Sequence, residues 1–360
     1  MKVQKAQISP HEVTWYVLGN DHLPIKPISG FIRYLNNTDK SPCTIRGYAY
    51  SLKLFWEYLA DKNIDWVTIS LDNLAAFVGW LRTDQEIPAK IINITEPFSA
   101  RKPATINVIL GCLSSFYRYH NQVGNTEVTI TESVNLANNR YKSLLHHIYK
   151  HKPAQRRIIS VKQIKQPPKT ITDDQFTALS LACTNYRDKF LVWLLYETGL
   201  RIGQALALRH EDVICWDNEI QVTYRTNNLN GVRNKTLRPN TIQVSNEVMR
   251  LYGEYVSTLE QAKLTEYVFI NLATYEPMQY ATVKRLFENL SKKCNFYVRP
   301  HMLRHSHASG LLKSGWEMAL IQKRLGHASI QTTIDTYTHI DTQQMKKAFK
   351  QFLSNKEKCE

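Results

Sequence analysis

The chain has 360 residues, 43% of them hydrophobic, with a formal net charge of +15 and a pI of about 9.4. That length accommodates two domains with separate cores, the lack of any apolar run of about 18 residues argues against a helical membrane span, and the opening MKVQKAQISPHEV lacks the apolar region of a secretory signal. The expectation is a cytosolic protein whose surplus positive charge meets a polyanion, nucleic acid above all.

The six cysteines (Cys43, Cys112, Cys183, Cys215, Cys294, Cys359) include no CxxC pair. They read as reduced structural thiols rather than a disulfide or zinc framework. In VTWYVLG, followed by NDHLPIKP, β-branched and aromatic residues bounded by Gly, Asn and Pro predict a strand, a polar turn and an extended exit over residues 1–25. Helical periodicity then begins. Ile28, Phe31, Ile32 and Leu35 share one face. Ser41 as a cap and Pro42 at the first position start a second helix, with Tyr48, Leu52, Phe55 and Leu59 as its stripe. LDNLAAFVGWLRT predicts a third helix. ATINVILGCLSSFYRYH predicts a fourth, facing inward with Ile106, Ile109, Leu113 and Phe116 or Tyr117. Residues 26–150 therefore read as a small helical domain.

Residues 151–170 read as a basic linker. From Lys150 to Lys169 the basic residues are Lys150, Lys152, Arg156, Arg157, Lys162, Lys165 and Lys169, without a single Asp or Glu, among Pro153, Pro167 and Pro168. Prolines suit a spacer, and the charge suits a segment that tracks a phosphate backbone.

The second domain spans 171–340. Thr172 with Gln175 forms a capping box. RDKFLVWLLYETG is apolar nearly all round, a buried helix ended by Gly199. LRIGQALALRHEDV predicts another helix. Residues 219–245 predict a strand pair around the polar turn NNLNGVRNKT. Further helices are expected over NEVMRLYGEYVSTL, YATVKRLFENLSKKC, RPHMLRHSHASGLL and WEMALIQKRLG. A last one over 341–360 carries Met345, Phe349 and Phe352 on one face.

Four short segments concentrate groups that need anions or protons. Arg201 follows a glycine turn and opens a helix beside an apolar one; alone it reads as a structural ion pair. His301 and Arg304 share a helical face near an N-terminus, where free N–H groups favour anions. His301 and His305 are spaced like a zinc pair. Arg304 beside both would repel a dication, and no third ligand is evident, so no metal is expected. His305 and His307 read as structural. His327 closes R-L-G-H, and Tyr337 stands ten residues on.

In this order, T-G-x-R, a hairpin lysine, H-x-L-R-H, L-G-H and a late tyrosine resemble the tyrosine recombinase (integrase) family along nearly the whole chain. Full length and the strand-turn start are most similar to its transposon-encoded members of Gram-positive bacteria, of the transposase A type. The resemblance implies a mainly α fold: a helical, SAM-like core-binding domain, then a mixed α+β catalytic domain with a small antiparallel sheet. It implies a nucleophilic Tyr337 forming a 3′-phosphotyrosine, with Arg201 and Arg304 neutralising the phosphodiester. His301 would help take the phenol proton and His327 would bond a non-bridging oxygen. Counting back from Ile242, Lys235 takes the position of the lysine that protonates the leaving oxygen. Here the sequence departs from the family, since no glycine flanks Lys235 and Gln243 stands where proline is usual.

The same resemblance implies double-stranded DNA at specific sites as partner, with self-association on it, a tetramer in the synaptic complex and possible further recombinases of the same element. No cofactor is expected, because neither an acidic triad for two metals nor a GxxxxGK[ST] loop is present. The location implied is the bacterial cytoplasm at the nucleoid. Three competing readings are a DNA-binding accessory protein that has lost the chemistry, a type IB topoisomerase, and a zinc hydrolase on His301 and His305.

Overall fold

Among the described residues two main hydrophobic cores form, one in each half of the chain, with a small third cluster of Ala308, Ile321 and Leu325 in the second half. The computed structural model describes residues 1–9, 12–83, 101–134, 154–163, 168–225, 228–232, 239–259 and 265–326. It divides the chain into a unit Met1–Lys165 and a unit from Gln166 onward.

The first unit opens with an antiparallel pair, β1 (Lys2–Ser9) and β2 (Glu12–Leu18). Only the second strand was legible in the sequence. β2 buries Trp15 and Val17, whereas KVQKAQIS has no apolar alternation and is held by backbone pairing. Helices α1 (Lys26–Asn37), α2 (Pro42–Lys62), α3 (Leu71–Arg82) and α4 (Pro103–Gln122) follow. Side-chain caps set the starts of α2 and α3, and a proline in the first turn opens α1 and α4. Ser41 Oγ accepts the Thr44 N–H at 3.2 Å, and Ser70 and Asn73 form a reciprocal capping box. On α4, Phe116 and Tyr117 are both buried rather than one of them. The Tyr117 hydroxyl donates to the Trp66 carbonyl at 2.8 Å, so its polar tip is satisfied.

The basic stretch expected as a linker is partly built into this unit. β3 (Thr131–Val134) pairs antiparallel with β4 (Ala154–Arg157). The Asn107 side chain exchanges two hydrogen bonds with the backbone of Val161, at 2.8 and 2.9 Å, and Arg157 donates to the Asn107 carbonyl. Ile159 and Val161 pack against the first core. Such ties to a side chain some fifty positions away leave no local trace in the sequence.

The second unit starts with α5 (Asp173–Leu181), capped by the Thr172–Gln175 box, and α6 (Tyr186–Thr198). Phe190, Leu191, Val192, Leu194 and Leu195 on α6 are fully buried, as an all-round apolar helix requires. The next helix is far shorter than expected: α7 (Ile202–Ala205) is a single turn. After it the Leu208 carbonyl accepts from the Val268 N–H at 3.0 Å, and the His210 N–H donates to Glu266 at 2.9 Å. Pairing with that distant segment wins over the helical propensity of ALAL. A 3₁₀ turn (His210–Asp212) leads to a three-stranded antiparallel sheet. Its strands are β5 (Val213–Ile214), β6 (Glu219–Val222) and β7 (Asn240–Gln243), in that spatial order. Helices α8 (Asn246–Ser257), α9 (Tyr280–Lys293), α10 (Pro300–Lys313) and α11 (Met318–Leu325) complete the described part. No helix among the described residues is long and apolar enough to cross a membrane.

Candidate active site

Glycine geometry brings three of the sequence motifs against one another. α6 ends at Gly199 in the left-handed region, φ 63°. A Cβ there would lie 2.7 Å from Leu325 Cδ2 and 2.8 Å from His307 Cδ2. Both the backbone angle and the lack of space demand glycine. The turn therefore sits directly on α10 and on the last turn of α11.

Arg201 takes the N-cap position of α7, and its N–H donates to the buried Gln204 Oε1 at 2.9 Å. Pro300 opens α10 with its preset φ, which puts His301 in the first turn and Arg304 one turn on. Arg304 is 3% exposed. Its Nη1 donates to the Gly199 carbonyl at 2.5 Å and its Nη2 to the Leu325 carbonyl at 2.9 Å. One guanidinium thus joins the T-G-x-R turn to the R-L-G-H turn.

The electrostatics follow from this crowding. Burial first, then the charges of Arg304 and Arg201, hold the His301 imidazole below its usual pKa. His305 stacks on His301 with ring centroids 5.6 Å apart, and burial with His301 and Arg304 pushes it down to about 4. Both rings thus favour the neutral form. Two arginines that oppose a proton oppose a dication still more. Among the described residues no group of three or more His, Cys, Asp or Glu side chains is placed to hold a metal ion.

Arg324 was not singled out from the sequence, yet it ties the neighbourhood together. Its Nε donates to His307 Nε2 at 3.1 Å. Its Nη2 donates to the carbonyls of Glu197 at 3.1 Å and Gln243 at 2.9 Å. α6, α10 and β7 thereby share one side chain. The only sequence signal was its place in R-L-G-H. His307, read as structural, is the acceptor here; burial, Arg324 and Arg304 push its pKa down to about 3. The sign is clear. An unfolded histidine takes its proton near pH 6.5 and the folded one near 3, so the contribution is complete above 6.5 and shrinks as pH falls. Unfolding free energy should drop between pH 6.5 and 5, by at most about 1.4 kcal/mol per pH unit from this group. His307→Gln should flatten that slope in denaturant titrations at the two pH values.

The remaining expected positions divide. Lys235, His327 and Tyr337 lie outside the described residues, as do Met345, Phe349 and Phe352 on the last predicted helix. Of the basic stretch, Lys150, Lys152 and Lys165 also lie outside them. Arg156 and Lys162 are exposed in the first unit, while Arg157 is turned inward to Asn107. Lys169 is exposed in the second unit, its ammonium 6.0 Å from the Tyr297 ring centre, with the Arg299 guanidinium 4.9 Å from the same ring.

Comparison with known proteins follows the same division. The phage integrase family profile matches residues 169–344, and the phage integrase N-terminal SAM-like domain matches residues 28–124. Transposase A from transposon Tn554 of Staphylococcus aureus is 36% identical over 362 residues, covering 99% of each chain. Tyrosine recombinase XerD of Staphylococcus aureus (strain Mu50) is 29% identical over 204 residues, covering 54% of this chain and 65% of its own. Two solved structures share the fold. The Tn1549 transposon integrase in complex with a circular intermediate DNA has a TM-score of 0.61 at 14% identity, covering 90% of this chain and 99% of its own. XerH recombinase bound to its difH substrate has a TM-score of 0.57 at 18% identity, covering 92% and 90%.

Proposed function

Because this chain belongs to the phage integrase family of tyrosine recombinases, we propose that it cuts and rejoins DNA at specific sites to move a transposon, through a 3′-phosphotyrosine. The observation that carries this is Arg304 of α10, buried between the Gly199 turn and the end of α11, with His301 held neutral by its charge and that of Arg201. A phosphodiester repels nucleophiles, so its charge must be met as phosphorus expands. Arg201 and Arg304 supply guanidinium groups that fork onto non-bridging oxygens. A neutral His301 is able to accept the phenol proton of Tyr337. The Tyr337 oxygen bonds to phosphorus as the bond to the 5′-oxygen breaks. Lys235 gives the leaving oxygen its proton, and His327 bonds a non-bridging oxygen. The covalent bond keeps the energy of the one it replaced, so rejoining needs neither ATP nor metal.

Exchange between two duplexes opens four strands, and one tyrosine per protomer makes a tetramer on DNA the economical assembly. Such a protein works where its DNA is, at the nucleoid. Arg156, Lys162 and Lys169, with Lys150, Lys152 and Lys165, would lie along the phosphate backbone, whereas Arg157 is engaged by the Asn107 carbonyl.

The test is covalent trapping. The protein is incubated with supercoiled DNA carrying the ends of its element, in excess chelator, and then denatured. Protein covalently attached to the 3′ end of a nicked strand is the expected product. Salt-sensitive binding without any adduct would favour the DNA-binding accessory reading instead.

A further inference from the structure

The connection between β6 and β7 is fastened at its middle. Asn230 Nδ2 donates to the carbonyls of Leu206 at 3.0 Å and Met278 at 3.1 Å, and its Oδ1 accepts the Val232 N–H at 3.3 Å. Asn228, 8% exposed, donates to the carbonyls of Arg225 at 3.2 Å and Val232 at 3.0 Å. The Leu229 N–H donates to the Tyr267 hydroxyl at 2.8 Å, and the Arg209 guanidinium lies 3.6 Å from the centre of that same tyrosine ring. Gly231, φ 69°, supplies the left-handed turn that lets the chain double back. Residues 228–232 are thereby bolted onto the extended segment after α7 and onto the chain before α9.

We propose that Asn230 is a positioning residue: it anchors this loop so that the basic residues just beyond it deliver a proton to the leaving 5′-oxygen. The inference rests on the reading that this loop supplies the general acid. Lys235 is three residues past Val232, a backbone reach of about 10 Å. An anchor so near in sequence shortens the span that has to be closed, and the entropy cost of closure grows with span length. The carboxamide is specific for the task, because both of its N–H groups go to different carbonyls; a carboxylate of the same shape would donate to neither.

In the step concerned, the bond from Tyr337 oxygen to phosphorus forms, the bond to O5′ breaks, and O5′ takes the proton and departs as a hydroxyl. A bridging sulfur at that position departs as a thiolate and needs no proton. This separates the two roles. Asn230→Asp is expected to lower single-turnover cleavage of ordinary DNA about tenfold, a fraction of what a general acid contributes. On the 5′-bridging phosphorothiolate substrate it should cleave within about twofold of wild type, as the proton is no longer needed. Asn230→Ala, which removes both ends of the anchor, should show the same rescue, with thermal unfolding followed alongside. Equal losses on the two substrates, or no loss on either, would overturn the anchor. Lys235→Ala is run in parallel. If the sulfur rescues Asn230→Asp but not Lys235→Ala, the anchor stands and the proton comes from another residue of the loop. If it rescues only Lys235→Ala, the lysine stands and the anchor falls.

Discussion

Replacing Arg304 by alanine should abolish strand cleavage and destabilise the second unit by about 3–5 kcal/mol, the scale of losing two charge-assisted bonds to buried acceptors. The structure explains both effects. The carbonyls of Gly199 and Leu325 would be left buried without this donor, and the turn holding Arg201 would lose its tie to α11. Arg304→Lys separates the two consequences. An ammonium keeps the charge, but cannot fork to two carbonyls and still face a phosphate. It should cost less stability and leave DNA binding within a few fold, while single-turnover cleavage falls by about 10² to 10³. Urea denaturation and quenched cleavage assays on the same preparations read the two quantities. Wild-type cleavage in the lysine variant would remove Arg304 from the phosphate.

Tyr337→Phe should lower adduct formation by at least about a thousandfold, some 4 kcal/mol of barrier, with DNA binding unchanged. Only an oxygen is lost, so the test isolates the nucleophile. The chain offers 19 tyrosines, but the surroundings of several make them poor candidates. Burial pushes the hydroxyls of Tyr196, Tyr252 and Tyr255 up to about 12, and Tyr117 higher still. A phenol that resists ionisation and already has packed neighbours is badly placed to attack phosphorus. Tyr337, late in the chain after R-L-G-H, has the sequence position for the task. An undiminished adduct from the phenylalanine variant would move the attack elsewhere.

The helices were legible because their signals are local. Ser41 with Pro42, and Thr172 with Gln175, mark starts that the structure reproduces with side-chain bonds across three residues. Gly199 marked an ending for the same reason. What escaped is whatever depends on distant partners. β1, β3 and β4 are too polar or too short to show a period, and the ALAL run after Arg201 gave a helical pattern that pairing with 266–268 overrides. At the site, the residue types and their order were visible, but the work of the side chains was not. Arg304 looked like a phosphate ligand; that it also carries the carbonyls of two turns is a tertiary fact. Asn230 looked like an ordinary turn residue and Arg324 was not singled out, because their acceptors lie on other elements. In the first unit, Asn107 gave no sign that it would receive the chain at Val161.

The pairing of β3 with β4 sets Val134 opposite Ala154, so the two ends of the span 135–153 are fastened side by side. Its length is nearly decoupled from the geometry of the rest, since doubling such a span costs only about 0.6 kcal/mol of closure entropy. An insertion or deletion between Val134 and Ala154 is therefore expected to leave β3 and β4 paired. The same span offers an engineer a place to graft a reporter or a targeting module without redesigning the recombinase.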